Sequence, residues 1–327
     1  MPQARKNKIS LIDTPYYHCI SRCVRSSFLC GTDKYSGQSY EHRRGWVEER
    51  LLFLVSIFVI DVYAYTVMRN HTHVVVHVDK DSALAWSVDE VLRRYHKLHN
   101  GTLLTQKFVR GGTLSPDEQL NFAKTVEIYR ARLYDISWFM RNLNEYIARE
   151  ANREDGCRGR FWEGRFRSQA LLDDFAVLAC MAYVDLNPIR AKMDKPPETV
   201  KHTSIQKRLQ AVKNGKPQPD TLFPVIGSYK QDMPKGIAYH PKDYCELVDV
   251  TGRCIREGKI GQLDSSQSPI LEHLGLASEQ WLTLTTEFEK HFCYAAGAEL
   301  MMKEFKTHTN HKRMRGMGTA KTLLNRA

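Results

Sequence analysis

The chain has 327 residues, 42% of them hydrophobic, and a mean hydropathy of −0.46; this excludes a largely disordered polypeptide and gives length for two domains with a sizeable core. A formal charge of +11, from 48 Lys and Arg against 37 Asp and Glu, points to a polyanionic partner, because clustered cations gain affinity by releasing counterions from a phosphate backbone. The eight cysteines contain no CxxC pair, which excludes a zinc knuckle and a disulfide scaffold and suits a reducing, cytoplasmic setting.

From the N-terminus, MPQARKNKIS lacks the apolar region of a signal peptide, and its basic residues suit nucleic acid. Residues 16–21 have the aromatic and β-branched content of a short strand, and 39–58 read as an amphipathic helix running into the apolar run Leu51 to Ile60. That run is about half the length of a membrane span, so no membrane is expected. Strands over 62–67 and 72–78 flank the turn Met68-Arg69-Asn70 and form a hairpin. A helix is predicted over 83–99, a loop over 101–114, a helix from Ser115 to Leu133 opened by Pro116, and another over 137–152. A helix starting at Asp173 or Asp174 stops at Asn187-Pro188, because Pro disfavours helix in the residue before it. Composition then shifts through DKPPETVKHTS and VKNGKPQPDTLFP, as expected of extended connections, which places a boundary at 205 between domains 1–205 and 206–327. The second part has amphipathic segments at 241–256, 269–275 and 277–299, the last two resembling the start of a DNA-binding helix-turn-helix. The basic tail from His308 is expected to be loosely ordered.

The hairpin carries the main chemical signal. His71 and His73 in NHTHVVVHV lie two apart on a strand and so share a face with His77, while Thr72, Val74 and Val76 take the other. Two imidazoles in that geometry suit one divalent ion, which needs at least one further ligand. Downstream, FMRNLNEYIAREANRED places Phe139, Leu143 and Ile147 on one helix face, with Tyr146 beside it and Asn142, Arg149 and Glu150 nearby. A phenol is a poor nucleophile at its ordinary pKa of about 10, so Tyr146 needs a base or a metal-polarised electrophile. Glu150, one turn beyond Tyr146, is the candidate third ligand, with Asn152 the competitor.

The connection from Arg158 to Arg167, RGRFWEGRFR, interleaves Arg158, Arg160, Arg165 and Arg167 with Phe161, Trp162 and Phe166. Arginines neutralise phosphates and aromatic rings stack on unpaired bases, so this is a candidate single-strand platform, the alternative being a basic hairpin with Phe161 and Phe166 in the core. Arg22 and Arg25, after the first strand, are further candidate phosphate contacts.

The segments TPYYHCISR, NHTHVVV, FMRNLNEYIAREAN, GRFWEGRFRSQAL and YVDLNPIRA, in that order over residues 8–195, resemble the REP-associated tyrosine transposases, relatives of the single-tyrosine HUH transposases. The resemblance implies an α+β fold: a ferredoxin-like βαββαβ domain, followed here by a mainly helical C-terminal region. It implies binding of hairpin-bearing single-stranded DNA, use of Mg²⁺ or Mn²⁺, and cleavage through a 5′-phosphotyrosine; a monomer and a homodimer are both compatible with the sequence. His71 and His73 match the HUH histidines and Tyr146 the nucleophile; Tyr183, in MAYVDLNP, is the fallback, since Tyr146 precedes Asn152 by six residues where relatives often have five. A phosphodiesterase using activated water and a catalytically inactive, sequence-specific DNA-binding regulator are the competing functions.

Overall fold

The structure, a computed structural model, describes residues 8–24, 29–33, 36–191, 201–225, 239–257 and 269–324. Arg25, the N-terminal basic residues 1–7 and much of the DKPPETVKHTS connection lie outside the described residues.

Five strands form one sheet. β1 (Tyr16–Arg22), β2 (Ile60–Val67), β3 (His71–Val78), β4 (Arg167–Leu171) and β5 (Ala295–Ala296) run in the order β2-β3-β1-β4-β5. Their cores, IDVYAYTV and HTHVVVHV above all, are β-branched and aromatic, residues that fit a pleated, half-buried surface. The β2–β3 turn closes with the Met68 N–H donating to the His71 carbonyl at 2.9 Å. β1 pairs antiparallel with both β3 and β4, and β4 pairs parallel with β5.

Register decides which side chains meet. Residues directly opposite on paired strands share a face. Ile20 opposes both His73 and Arg167, His18 opposes Val75 and Gln169, and Tyr16 opposes His77. One face therefore carries His71, His73, His18, Gln169 and Arg167. The other carries Tyr17, Cys19, Val74, Val76 and Ala170, all buried. The expected alternation of His71, His73 and His77 against Thr72, Val74 and Val76 holds.

Among the described residues the helices are α1 (Arg43–Val55), α2 (Lys80–Ala85), α3 (Val88–Tyr95), α4 (Leu103–Val109), α5 (Pro116–Leu133), α6 (Ile136–Glu154), α7 (Asp174–Asp185), α8 (Asn187–Arg190), α9 (Ser204–Lys213), α10 (Pro241–Glu257), α11 (Pro269–Leu274), α12 (Ser278–His291), α13 (Glu299–His308) and, in the basic tail expected to be loosely ordered, α14 (Met317–Thr319) followed by a π-helical turn over Ala320–Leu324. The molecule is thus mixed α+β. Two compact units divide the chain: residues 1–45, 62–77 and 160–327 form one, and 46–61 with 78–159 the other. The sheet face with the histidines lies in the first unit. The second is helical, and the buried face of its α6 holds Phe139, Leu143 and Ile147 as the periodicity predicts.

Several elements differ from the sequence expectation, each for a local reason. The predicted loop 101–114 contains α4, because Thr102 and Thr105 form a capping box that starts a helix between flanking glycines. The single helix predicted over 83–99 is two, since Ser87 caps a new one by accepting from the Glu90 N–H. α9 occupies part of the expected extended connection. The segment 277–299 is broken after His291, and Ala295–Ala296 pair with Ala170 and Leu171 as an added edge strand. Gly297 makes that approach possible: its φ is +152°, and a Cβ there would stand 2.8 Å from Leu172 Cβ. Through β5, the C-terminal segment is hydrogen-bonded to the sheet beside β4, and this bears directly on the site.

Candidate metal centre

α7 is apolar on all sides and buried along almost its whole length, as a helix of that composition must be. It packs against α12. Thr283, Thr285 and Thr286 of α12 each donate their hydroxyl to the carbonyl four residues back, a pattern that bends helices, and Glu287 leaves the helical region at φ −126°. Just past this kink is Glu289.

Glu289 meets the polar row on the sheet. His73 Nδ1 lies 2.9 Å from His18 Nε2, and His18 Nδ1 lies 3.2 Å from Gln169 Oε1, so three adjacent strands are bridged side chain to side chain. Glu289 Oε1 is 3.6 Å from His73 Nδ1 and accepts a hydrogen bond from the Tyr183 hydroxyl at 3.0 Å, while its Oε2 is 3.5 Å from Arg167. Arg190 stacks its guanidinium 3.8 Å from the Tyr183 ring centroid and donates to the Thr286 carbonyl at 2.6 Å, holding α7, α8 and α12 together at this point.

Electrostatics keeps both histidines neutral. Burial lowers the pKa of His18 and drives that of His73 well below its ordinary value. Burial also takes His71 down to about 4, with Glu289 opposing. The Tyr183 hydroxyl is pushed up to about 12, chiefly by burial, so it stays a protonated donor to Glu289. If Gln169 Oε1 accepts from His18 Nδ1–H, then His18 Nε2 must accept from His73 Nδ1–H, and His73 Nε2 is left with a bare lone pair. That atom is buried and has no hydrogen-bond partner.

Among the described residues, one group of His, Cys, Asp and Glu side chains can hold a metal ion: His18, His73 and Glu289, with ligand atoms within 4.8 Å of one another. The fit is chemical as well as geometric. Two nitrogens bound at right angles at about 2.1 Å are about 3.0 Å apart, close to the His18–His73 separation. The imidazoles are neutral, as an ion requires, and the unpartnered His73 Nε2 can take the proton that His73 Nδ1 shares with His18, which frees Nδ1 as a ligand. Two imidazoles and one carboxylate form a softer set than the all-oxygen shell Mg²⁺ favours, and suit Mn²⁺ better.

No protein-family model and no curated protein matches the chain. Among solved structures, a REP-associated tyrosine transposase bound to a REP hairpin overlaps 72% of this chain and 98% of its own, with 10% identity and a TM-score of 0.37. A likeness this weak transfers neither activity nor site residues.

The other residues singled out from the sequence have the following places. His71 stands beside His73, ring centroids 4.8 Å apart, with its Nδ1 2.7 Å from Asn70 Oδ1, and is outside the three-residue group. Tyr146 lies on α6 of the second unit, 37% exposed. Glu150 belongs to that unit too, pairs with Arg153 at 2.7 Å and is not part of the metal-capable group. Asn152 donates to the Gly159 carbonyl. Arg158, Arg160, Arg165 and Arg167 are exposed, whereas Phe161, Trp162 and Phe166 are buried, so their ring faces are not offered to bases. Arg22 pairs with Glu163 at 3.6 Å.

Sequence reasoning missed His18 and Glu289. His18 had a signal: a lone imidazole in a strand whose neighbours are aromatic and β-branched must find a polar partner once buried. Glu289 had none, for it lies 216 residues beyond His73 in a helix of ordinary amphipathic pattern.

Proposed function

We propose that the protein is a metal-dependent endonuclease and strand transferase acting on hairpin-bearing single-stranded DNA. The buried group of His18, His73 and Glu289, with both imidazoles held neutral, carries this reading. The basic charge and the order of the segments that resemble the tyrosine transposases support it, and so does the β2-β3-β1-β4 strand order, which we read as the ferredoxin-like arrangement.

When bound, a Mn²⁺ or Mg²⁺ ion supplies Lewis acidity toward a non-bridging phosphate oxygen. His18 Nε2 and His73 Nδ1 would hold it once the proton they share has moved to His73 Nε2, Gln169 fixes the His18 tautomer, and Tyr183 and Arg167 orient the Glu289 carboxylate. Tyr146 is the proposed nucleophile. Its phenolic proton is lost to solvent, a bond forms from its oxygen to phosphorus, and the bond to the 3′ oxygen breaks, so that a 5′-phosphotyrosine and a protonated 3′-hydroxyl result. Arg22, Arg160, Arg165 and Arg167 are proposed phosphate contacts.

The test follows a labelled hairpin oligonucleotide with Mn²⁺ on a denaturing gel, comparing wild type with Tyr146→Phe and Tyr183→Phe. At saturating Mn²⁺, a slow-migrating protein–DNA species that vanishes only in Tyr146→Phe is expected. A second reading, hydrolysis by activated water, is favoured by the carboxylate of Glu289 standing 3.6 Å from His73. Nicked product without adduct in any of the three proteins would establish it and remove the tyrosine from the chemistry.

A further inference from the structure

The second unit contains a cleft of about 660 Å³ that none of the residues discussed as phosphate contacts enters. Its floor is a stripe along α6, where Trp138, Arg141, Glu145, Tyr146, Arg149 and Arg153 recur at helical spacing. Arg50 closes it from α1, and the connection after α3 supplies His99 to Thr102. Four arginines face two glutamates there. The glutamates are already engaged, Glu145 with Arg141 and Arg149, and Glu150 with Arg153.

Arg50 differs from the rest. Its guanidinium lies 4.7 Å from the Tyr146 ring centroid and 5.3 Å from that of Phe53, and its Nε donates to the Asn142 carbonyl at 3.3 Å. Among the described residues it has no carboxylate partner, and burial lowers its pKa with only Tyr146 opposing. A half-buried guanidinium without a counter-ion is a poor arrangement for an empty surface and a good one for an anion, above all the flat, bidentate phosphate group. Beside it, Tyr146 is the most accessible ring of the cleft at 37% exposure. Trp138, two turns along the same helix, is already engaged, with Arg132 4.2 Å and Arg141 5.3 Å from its ring centroid.

We propose that this cleft binds a short stretch of single-stranded DNA, with a phosphate against Arg50 and an unpaired base against Tyr146. The chemistry needed is the chemistry present: an accessible aromatic face for an unpaired base and planar cations for phosphates. Blunt duplex lacks exposed base faces. The proposal deepens the reading above by placing part of the substrate strand, and rests on it for the choice of DNA, but strand binding here needs no metal and is separable from cleavage.

The experiment measures anisotropy of a short fluorescein-labelled thymidine oligonucleotide with the full chain in EDTA. Arg50→Gln is expected to weaken binding about tenfold and to flatten the salt dependence by about 0.7 in log–log slope, the value of one phosphate on a single strand. Arg149→Gln, whose side chain is 74% exposed and cannot disturb the fold, should weaken it severalfold. Tyr146→Ala should lose about fivefold or more, whereas Tyr146→Phe, which keeps the ring, should bind like wild type. Wild-type binding by Arg50→Gln, Arg149→Gln and Tyr146→Ala overturns the proposal, as does equal affinity for blunt duplex or for an RNA oligomer of the same length. Loss of binding in these variants alongside a wild type that never nicks keeps the cleft and removes the nuclease. Nicking by a wild type whose cleft variants bind normally does the reverse.

Discussion

His18 Nε2 and His73 Nδ1 share one hydrogen bond of 2.9 Å across the β1–β3 ladder, so each ring fixes the other's tautomer. An ion held by both nitrogens must displace the shared proton, and because burial already keeps both rings neutral that proton moves to the unpartnered His73 Nε2. Binding near neutral pH is therefore expected to release no net proton from the two histidines, and titration calorimetry in buffers of different ionisation enthalpy measures this. His18→Ala and His73→Ala should each abolish Mn²⁺ binding. His71→Ala should weaken it by less than about tenfold, because its Nδ1 is engaged with Asn70 and it lies outside the group. The converse, with His71 indispensable and His18 dispensable, moves the site to the histidine pair read from the sequence.

The same titration distinguishes ions. With two imidazoles in the donor set, Mn²⁺ should bind at least about tenfold more tightly than Mg²⁺. Equal affinities would mean that the oxygen of Glu289 dominates and the imidazoles stand aside.

Tyr183 is a positioning residue on this geometry, and its removal separates it from Tyr146. Tyr183→Phe deletes the donor to Glu289 and leaves the ring under Arg190, so metal affinity should fall about 10–100-fold while the fold survives. Raising Mn²⁺ should restore function to Tyr183→Phe. It should not rescue Tyr146→Phe, which retains metal affinity and lacks the attacking oxygen. Failure of excess Mn²⁺ to rescue Tyr183→Phe would transfer the nucleophile's role to Tyr183.

What the sequence made legible follows from range. The hairpin, the shared face of His71 and His73, the capped helices at Ser115 and Asp173, and the buried stripe of α6 all depend on residues within a few positions of one another, where period and capping chemistry act. The metal-capable group depends on register between β1 and β3 and on an edge strand of two alanines that ties the C-terminal segment to β4. Neither leaves a local signature. The RGRFWEGRFR connection was ambiguous for a related reason: alternating arginines and aromatics describe a stacking platform and a half-buried edge equally well. Burial of Phe161, Trp162 and Phe166 was decided by the surrounding tertiary structure.

Asp185, at the end of α7, gives a pH dependence whose sign can be worked out. Its Oδ1 accepts from the Ser204 hydroxyl at 2.6 Å and the Ile205 N–H at 3.1 Å, and its Oδ2 accepts from the Tyr244 hydroxyl at 2.7 Å, so one carboxylate ties α7 to α9 and α10. Burial nevertheless raises its pKa from 3.8 to about 6, outweighing those hydrogen bonds and nearby Arg208. The folded state therefore binds the proton more tightly than the unfolded chain. Its contribution to stability is complete below about pH 4 and is lost as pH rises through about 6. Asp185→Asn keeps an acceptor toward Ser204 and Ile205, turns its amide toward Tyr244 as a donor, and cannot titrate. The difference in unfolding free energy between Asp185→Asn and wild type should thus shift in favour of the variant by about 2–3 kcal/mol between pH 4 and pH 7, while other carboxylates cancel. Urea melts across that range measure it. A difference independent of pH would show that the carboxylate is ionised in the folded protein throughout, with the three donors, rather than burial, setting its protonation.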